Sequence, residues 1–201
     1  MSDRRLWLVR HGETEGQSSL RFHGRNDVRL CDEGRQQIRN LAPLLQGVDF
    51  ERVVHSPLAR AAESASILAA LCALPAGRLA ADERLREISF GACEGMTEAE
   101  IEAAFPGFLA RFRAGEADTF PAGEPRPEFA RRVAAAMDDL LGLPWQRDVL
   151  VVAHRGTLRQ AMRRVLRLPH GIDDPFGVEL ASVSVLRQGE GWQLDVLGLL
   201  P

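Results

Sequence analysis

The sequence predicts an α/β fold, a three-layer sandwich with a mostly parallel central sheet and helices on both faces. Apolar runs of strand length alternate along the chain with amphipathic stretches of helical period. Three of those runs feed directly into helices, and right-handed crossovers lay such strands parallel. The chain has 201 residues, 45% of them hydrophobic, which is enough to bury about 70% of the unfolded surface in a single core. One domain spanning residues 1–201 is therefore expected.

Each element follows from its own signals. "RLWLV" at 5–9 reads as a first buried strand. After a polar loop, residues 33–46 place Ile38, Leu41 and Leu45 on one helical face, with Pro43 expected to kink or shorten the helix. "RVVH" at 52–55 is a second short strand. In the stretch after it Ser56 is a plausible N-cap, Pro57 suits a first helical turn, and Ala61, Ala65, Leu68 and Cys72 form a stripe. "TEAE" at 97–100 has the form of a capping box, and "FPAGEPRP" at 120–127 packs three prolines and a glycine into a loop. The region 96–127 thus reads as an insertion that forms a lid or wall on the sheet. "RDVLVVAH" supplies a third strand at 148–153, followed by a helix burying Leu158, Ala161, Met162 and Val165. The closing segment, two strand-like runs about "GEG", reads as a hairpin. Its outer edge could pair two copies as a homodimer, although a plain surface edge is the commoner outcome.

Composition excludes several function classes. Lys and Arg total 25 against 28 Asp and Glu, a net charge of −3, so there is no electrostatic footprint for nucleic acid or an anionic membrane. No apolar stretch approaches the length a bilayer span requires, and the four-residue apolar run near the start is too short for a signal peptide, so a cytoplasmic location is expected. Cys31, Cys72 and Cys93 are odd in number, widely spaced and in no C-x-x-C pair, which argues against a disulfide framework or a zinc knuckle.

Three parallel strands end on one edge of the sheet, where α/β proteins open their ligand crevice. After the first come Arg10, His11 and Gly12; after the second, Ser56 and, within a helical turn, Arg60; after the third, His154, Arg155 and Gly156. Two imidazoles and at least two guanidiniums therefore converge with helix N-termini, a combination suited to an anion. Two histidines could instead ligate zinc, but fixed guanidiniums repel a divalent cation and only Glu13 offers a carboxylate at the same strand ends. No metal and no cofactor are expected. A lone strand-end histidine is most often a satisfied polar residue, and His55 and His170 are read that way.

The same residues carry a resemblance. "LVRHGET" at 8–14 resembles the signature of the histidine phosphatase superfamily; "SPLARAAESA" at 56–65, "LREISFGACEG" at 85–95 and "VVAHRG" at 151–156 are similar to its further motifs, in order. The resemblance covers nearly the whole chain and implies a phosphoglycerate mutase-like fold. It implies a metal-independent phosphomonoesterase of the histidine acid phosphatase type, in which His11 attacks phosphorus, Arg10, Arg60 and His154 hold the phosphoryl oxygens, and a phosphohistidine is hydrolysed by water. Its small-molecule phosphomonoester also needs a proton donor for the leaving oxygen. The residues alone do not separate Glu13, Glu83, Glu87 and Glu94; the resemblance selects Glu87, carried protonated beside the phosphate.

The resemblance further implies substrate contacts from Gln17, His23, Gly24, Arg155 and Gly156. Gln17 stands where an Asn is frequent, Arg155 where a Gly is common, His23 is unusual, and Pro125 replaces a frequent Ser or Thr. Mutases of the superfamily resemble longer chains, which favours a hydrolase. The start of the chain and "VVAHRG" look like the α-ribazole phosphatase branch, against a broad phosphomonoesterase. A mutase-type transferase and a non-catalytic phospholigand-binding module are the alternatives.

Overall fold

Residues 4–169 and 176–201 are described by this computed structural model; His170 lies outside them. Their strands are β1 (Arg5–Arg10), β2 (Arg21–Phe22), β3 (Phe50–His55), β4 (Leu79–Ala81), β5 (Met96–Thr97), β6 (Asp148–Ala153), β7 (Val183–Gln188) and β8 (Trp192–Leu199). Six of them form one sheet in the order β4-β3-β6-β1-β7-β8, and β2 pairs with β5 in a small antiparallel ladder. The β4-β3, β3-β6 and β6-β1 pairs are parallel, while β1-β7 and β7-β8 are antiparallel. The predicted mixed but mostly parallel α/β sheet is thus the observed one.

Both faces of the central strands are covered, which is why β1 and β6 read as continuous apolar runs without alternation. Leu6 and Leu8 of β1, with Val149 and Val151 of β6, pack against α6 (Arg126–Gly142) and α7 (Arg155–Val165). Trp7, Val9, Leu150 and Val152 point the other way, into the side chains of α1 (Asp32–Arg39), α2 (Ala42–Leu45) and α3 (Ala59–Leu71). The two-residue period of the strand sorts the side chains between two cores.

Several elements depart from the sequence reading. The helix read over 33–46, which Pro43 is expected to kink or shorten, is fully broken into α1 and α2, with Pro43 in the first turn of α2, where its missing N–H costs nothing. Helix α3 begins at Ala59, three residues beyond the expected cap; Ser56 instead belongs to the strand end, and Cys72 caps the helix C-terminus while packing against the same cluster as Ala65 and Leu68. Strand β4 is three residues of Leu-Ala-Ala at the sheet edge, a composition with little strand signal. Helix α6 is the largest element that the reading left unassigned. Phe129, Val133, Ala136, Met137 and Leu140 form its buried face, directly after a proline-rich stretch that reads as loop.

The segment from 96 to 127 contains α4 (Glu98–Ala104) and α5 (Phe108–Ala114). Thr97 and Glu100 close the capping box, Thr97 Oγ1 accepting from the Glu100 N–H and Glu100 Oε2 from the Thr97 N–H. These helices contribute to a third apolar cluster around Cys93, Ile101, Phe108, Leu109 and Phe120, joined by Phe22 of β2 and by Phe90 from a neighbouring loop. Phe120 has ring contacts with Phe90, Phe108 and Phe112 at centroid distances of 4.8, 5.0 and 4.4 Å, so the segment carries a small aromatic core of its own.

Candidate active site

Strands β3, β6 and β1 are neighbours, and their C-terminal ends place Ser56, His154 and His11 side by side. The ladder continues past the strand ends: the His11 N–H donates to Ala153 O at 3.1 Å and the Ser56 N–H to Val152 O at 3.0 Å. Backbone hydrogen bonds of the sheet thereby fix the main chain from which these side chains project. The His11 and His154 rings lie 5.1 Å apart, centroid to centroid, at 61°.

His11 is buried, and its Nδ1 lies 2.7 Å from Gly12 O. A carbonyl only accepts, so Nδ1 carries the proton and Nε2 keeps its lone pair. Burial, then the Arg60 and Arg10 guanidiniums, hold His11 well below the ordinary histidine value; the imidazole is neutral and nucleophilic at neutral pH. Arg10, at the end of β1, donates through Nη1 to Val178 O at 2.9 Å, while its Nε is buried without a partner among the described residues. Arg60, the second residue of α3, is 2% exposed and donates to Asn26 O and Gly24 O, each at 2.8 Å; its Nε is likewise unpartnered. Burial lowers both guanidiniums to about 10, with Arg155 adding to the effect on Arg10, and both remain charged at pH 7. Four polar side chains held by backbone carbonyls or by Ser56 thus face one another, with donor groups left unspent.

Glu87 is buried against the start of α7. Its Oε2 accepts from the Gly156 N–H at 2.9 Å and its Oε1 from the Ile88 N–H at 3.1 Å. A Cβ on residue 156 would lie 2.5 Å from Glu87 Oε1, so any side chain there would push the carboxylate from this seat. Arg132 of α6 fastens the Glu87 segment from behind, donating to the carbonyls of Arg84 and Arg86 at 2.7 Å each and of Glu87 at 3.0 Å. It also pairs with Glu124 at 2.7 Å.

A cavity of about 1000 Å³ opens above this cluster, lined by Arg10, His11, Arg60 and Glu87; His154, buried beside the His11 ring, is not among its lining residues. The other predicted contacts are placed unevenly. His23 lines the cavity, with Nε2 2.6 Å from Gly16 O and Nδ1 unpartnered among the described residues. Gly24 lines it too, in a left-handed conformation with φ +50°, and its carbonyl supports Arg60. Arg155 reaches it as an exposed side chain. Gly156 lines it, but its N–H is committed to Glu87. Gln17 is exposed in a turn and outside the lining, which Ser18, Ser19 and Arg21 enter instead. The lining is also aromatic, with Phe112 and Phe120 from the 96–127 segment and Phe22, Phe90 and Phe129 from outside it.

Sequence reading missed the supporting groups: the carbonyls of Gly24, Asn26 and Val178, the guanidinium of Arg132, and Ser56 as a partner of His154. Carbonyls leave no mark in a sequence, and Arg132 is one arginine among many. Ser56 did carry a signal, its place at a strand end beside the two histidines. Among the described residues no group of three or more His, Cys, Asp or Glu side chains is placed to hold a metal ion, and no helix is long and apolar enough to cross a membrane. The three cysteines are free.

Comparison with known proteins adds a second line of observation. Residues 6–199 match the family model described as histidine phosphatase superfamily (branch 1). A curated relative from Enterobacter sp. (strain 638), named "Probable phosphoglycerate mutase GpmB", is 29% identical over 200 residues, covering 96% of this chain and 92% of its own. The structure of a mycobacterial glucosyl-3-phosphoglycerate phosphatase in complex with VO3 superposes with a TM-score of 0.84 at 32% identity, over 97% of this chain and 98% of that one. The α-ribazole phosphatase from Shigella flexneri has a TM-score of 0.84 at 26% identity, over 97% and 96% of the two chains.

Proposed function

The chain belongs to the histidine phosphatase superfamily, and from that premise we propose that it is a metal-independent phosphatase that hydrolyses a small-molecule phosphomonoester through a phosphohistidine on His11. The observation that carries the reading is the 2.7 Å contact between His11 Nδ1 and Gly12 O. It leaves Nε2 unprotonated at the floor of a cavity that Arg10 and Arg60 also line.

In the first half-reaction the Nε2 lone pair attacks phosphorus and the P–O ester bond breaks. The leaving oxygen takes a proton from Glu87. In the second, water attacks phosphorus, Glu87 accepts a proton from that water, the P–N bond breaks and inorganic phosphate departs, restoring neutral His11. Charge spread over three phosphoryl oxygens is met by the forks of Arg10 and Arg60 and by the ring N–H of His154. Guanidinium suits the task because its planar donors grip two oxygens at once.

At substrate level, α-ribazole 5′-phosphate is the compound to test first. It is supported by the likeness to the Shigella enzyme and by a cavity large enough for a nucleoside-sized group. Phosphoglycerate-type esters are the comparison set, given the mutase and glucosyl-3-phosphoglycerate phosphatase relatives. A non-catalytic binding module would have no need of an unprotonated imidazole nitrogen facing two arginines and a seated carboxylate.

Hydrolysis of p-nitrophenyl phosphate tests the proposal. Turnover is expected to resist EDTA, to be inhibited by vanadate and to disappear in His11→Ala, and an acid-labile phosphoryl group should be trapped on His11 of the wild type. Full activity in that variant ends the phosphohistidine route, and EDTA-sensitive turnover restores a metal mechanism. A panel of phosphorylated metabolites then ranks substrates by kcat/KM.

A further inference from the structure

The second histidine of the floor raises a question of proton placement. His154 is 1% exposed, and its Nδ1 has no hydrogen-bond partner among the described residues. Its Nε2 lies 2.7 Å from Ser56 Oγ, a contact that either atom could donate. The surroundings of Ser56 decide between them. Ser56 is fully buried, and its Oγ already accepts from the Leu58 N–H at 3.3 Å. The hydroxyl has one hydrogen to place, and His154 Nε2 is the acceptor it meets among the described residues. The opposite arrangement, Nε2–H donating to Oγ, would bring two donors to one oxygen and strand the hydroxyl hydrogen in a buried place, which is unfavourable.

We propose that Ser56 is a positioning residue that holds His154 in the Nδ1–H tautomer, so that a neutral imidazole offers a fixed N–H to an oxygen of the transferring phosphoryl group. The inference rests on the phosphatase reading for its consequence, though not for its geometry. His11 and His154 then share one tautomer and spend it in opposite ways. His11 commits Nδ1–H to a carbonyl and shows a lone pair to phosphorus; His154 commits its lone pair to a hydroxyl and shows a proton to oxygen. A neutral donor is needed because the charges facing His154 are cationic or potentially so: Arg60 on α3, His11 and Arg10 at the end of β1, and Arg132 on α6. Burial, with these groups, keeps His154 well below the ordinary histidine value. Imidazolium is therefore not the donor near neutral pH.

The test uses the full chain labelled with ¹⁵N-histidine, its His154 signals assigned with His154→Gln, in long-range ¹H–¹⁵N spectra without ligand and with inorganic phosphate. The wild type is expected to show Nδ1 protonated and Nε2 unprotonated in both states. In Ser56→Ala the tautomers should mix, and turnover of p-nitrophenyl phosphate should fall about 10–100-fold, the usual scale for losing a partner that orients a functional histidine. Mixed tautomer signals in that variant, read beside its turnover, are a signature that simple loss of packing does not produce. Ser56→Thr keeps the hydroxyl and should restore most of the loss.

Protonated Nε2 on His154 in the phosphate-bound wild type overturns the proposal. So does a Ser56→Ala chain with unchanged turnover and phosphate affinity. If Ser56→Ala does not fold, the wild-type spectra still decide. Failure of the phosphatase reading shows separately, as turnover that survives His11→Ala.

Discussion

Arg60 and Glu87 are held by different means, and their loss should be felt differently. The guanidinium of Arg60 is buried between two carbonyls with its Nε unspent, so truncation removes a charge aimed at the phosphoryl group and leaves both carbonyls unpaired. Arg60→Ala is expected to lower kcat/KM by about 2–5 kcal/mol of transition-state stabilisation, roughly 30-fold or more, on every phosphomonoester tried. Arg60→Lys should recover little, because an ammonium cannot span both carbonyls and an oxygen. Glu87→Gln should depend on the substrate, costing about 10²–10⁴ for poor leaving groups and far less for p-nitrophenyl phosphate. Equal losses on both remove Glu87 from proton transfer. The placement of His11, Arg10, Arg60 and His154 together was legible because each stands at a strand end or in a first helical turn. That Gln17 stands outside the cavity lining was not, because resemblance aligns positions without saying which way a turn points its side chain.

At the scale of elements, the first turn of α7 does two things at once. His154 precedes the helix, and the Gly156 N–H that an anion might have claimed is turned onto Glu87. Gly156→Ala puts a methyl 2.5 Å from the carboxylate, a contact that Glu87 must relieve by moving. The expected outcome is a folded protein with the same substrate-dependent loss as Glu87→Gln, measured as the ratio of kcat on an alkyl phosphate to kcat on p-nitrophenyl phosphate. An unchanged ratio shows that the seat of Glu87 tolerates displacement. Helix α3 shows why element boundaries were harder to read than elements. Pro57 and Ser56 have the chemistry of a helix start, yet the sheet claims the Ser56 N–H for Val152 O and delays the helix to Ala59. The capping box at Thr97 involves only neighbours in sequence, and there the local signal and the structure agree.

The whole molecule keeps two histidines neutral inside a ring of arginines, which makes stability depend on pH. His11 and His154 lie well below the ordinary value when folded and near ~6.5 when unfolded. Below that value the unfolded chain binds protons that the folded one refuses, so stability falls as pH falls, by up to about 1.4 kcal/mol per pH unit for each ring. Urea unfolding at pH 7 and pH 5.5 should show this loss, and replacing both histidines with glutamine should flatten it. Catalysis should follow the same direction, with the acid limb of kcat/KM lying below pH 6.5 because the nucleophile stays unprotonated.

By itself the sequence determined the α/β class, the three buried strands and the residues that end them, because period, apolar runs and end residues are properties of neighbours along the chain. Only the tertiary structure decided that β3, β6 and β1 lie side by side, which carbonyls hold each guanidinium, where α6 and the aromatic wall close the cavity, and which nitrogen of each imidazole carries its proton. Those are relations between residues up to 168 positions apart, as between Arg10 and Val178, and no local pattern encodes a hydrogen bond whose acceptor is a distant backbone oxygen.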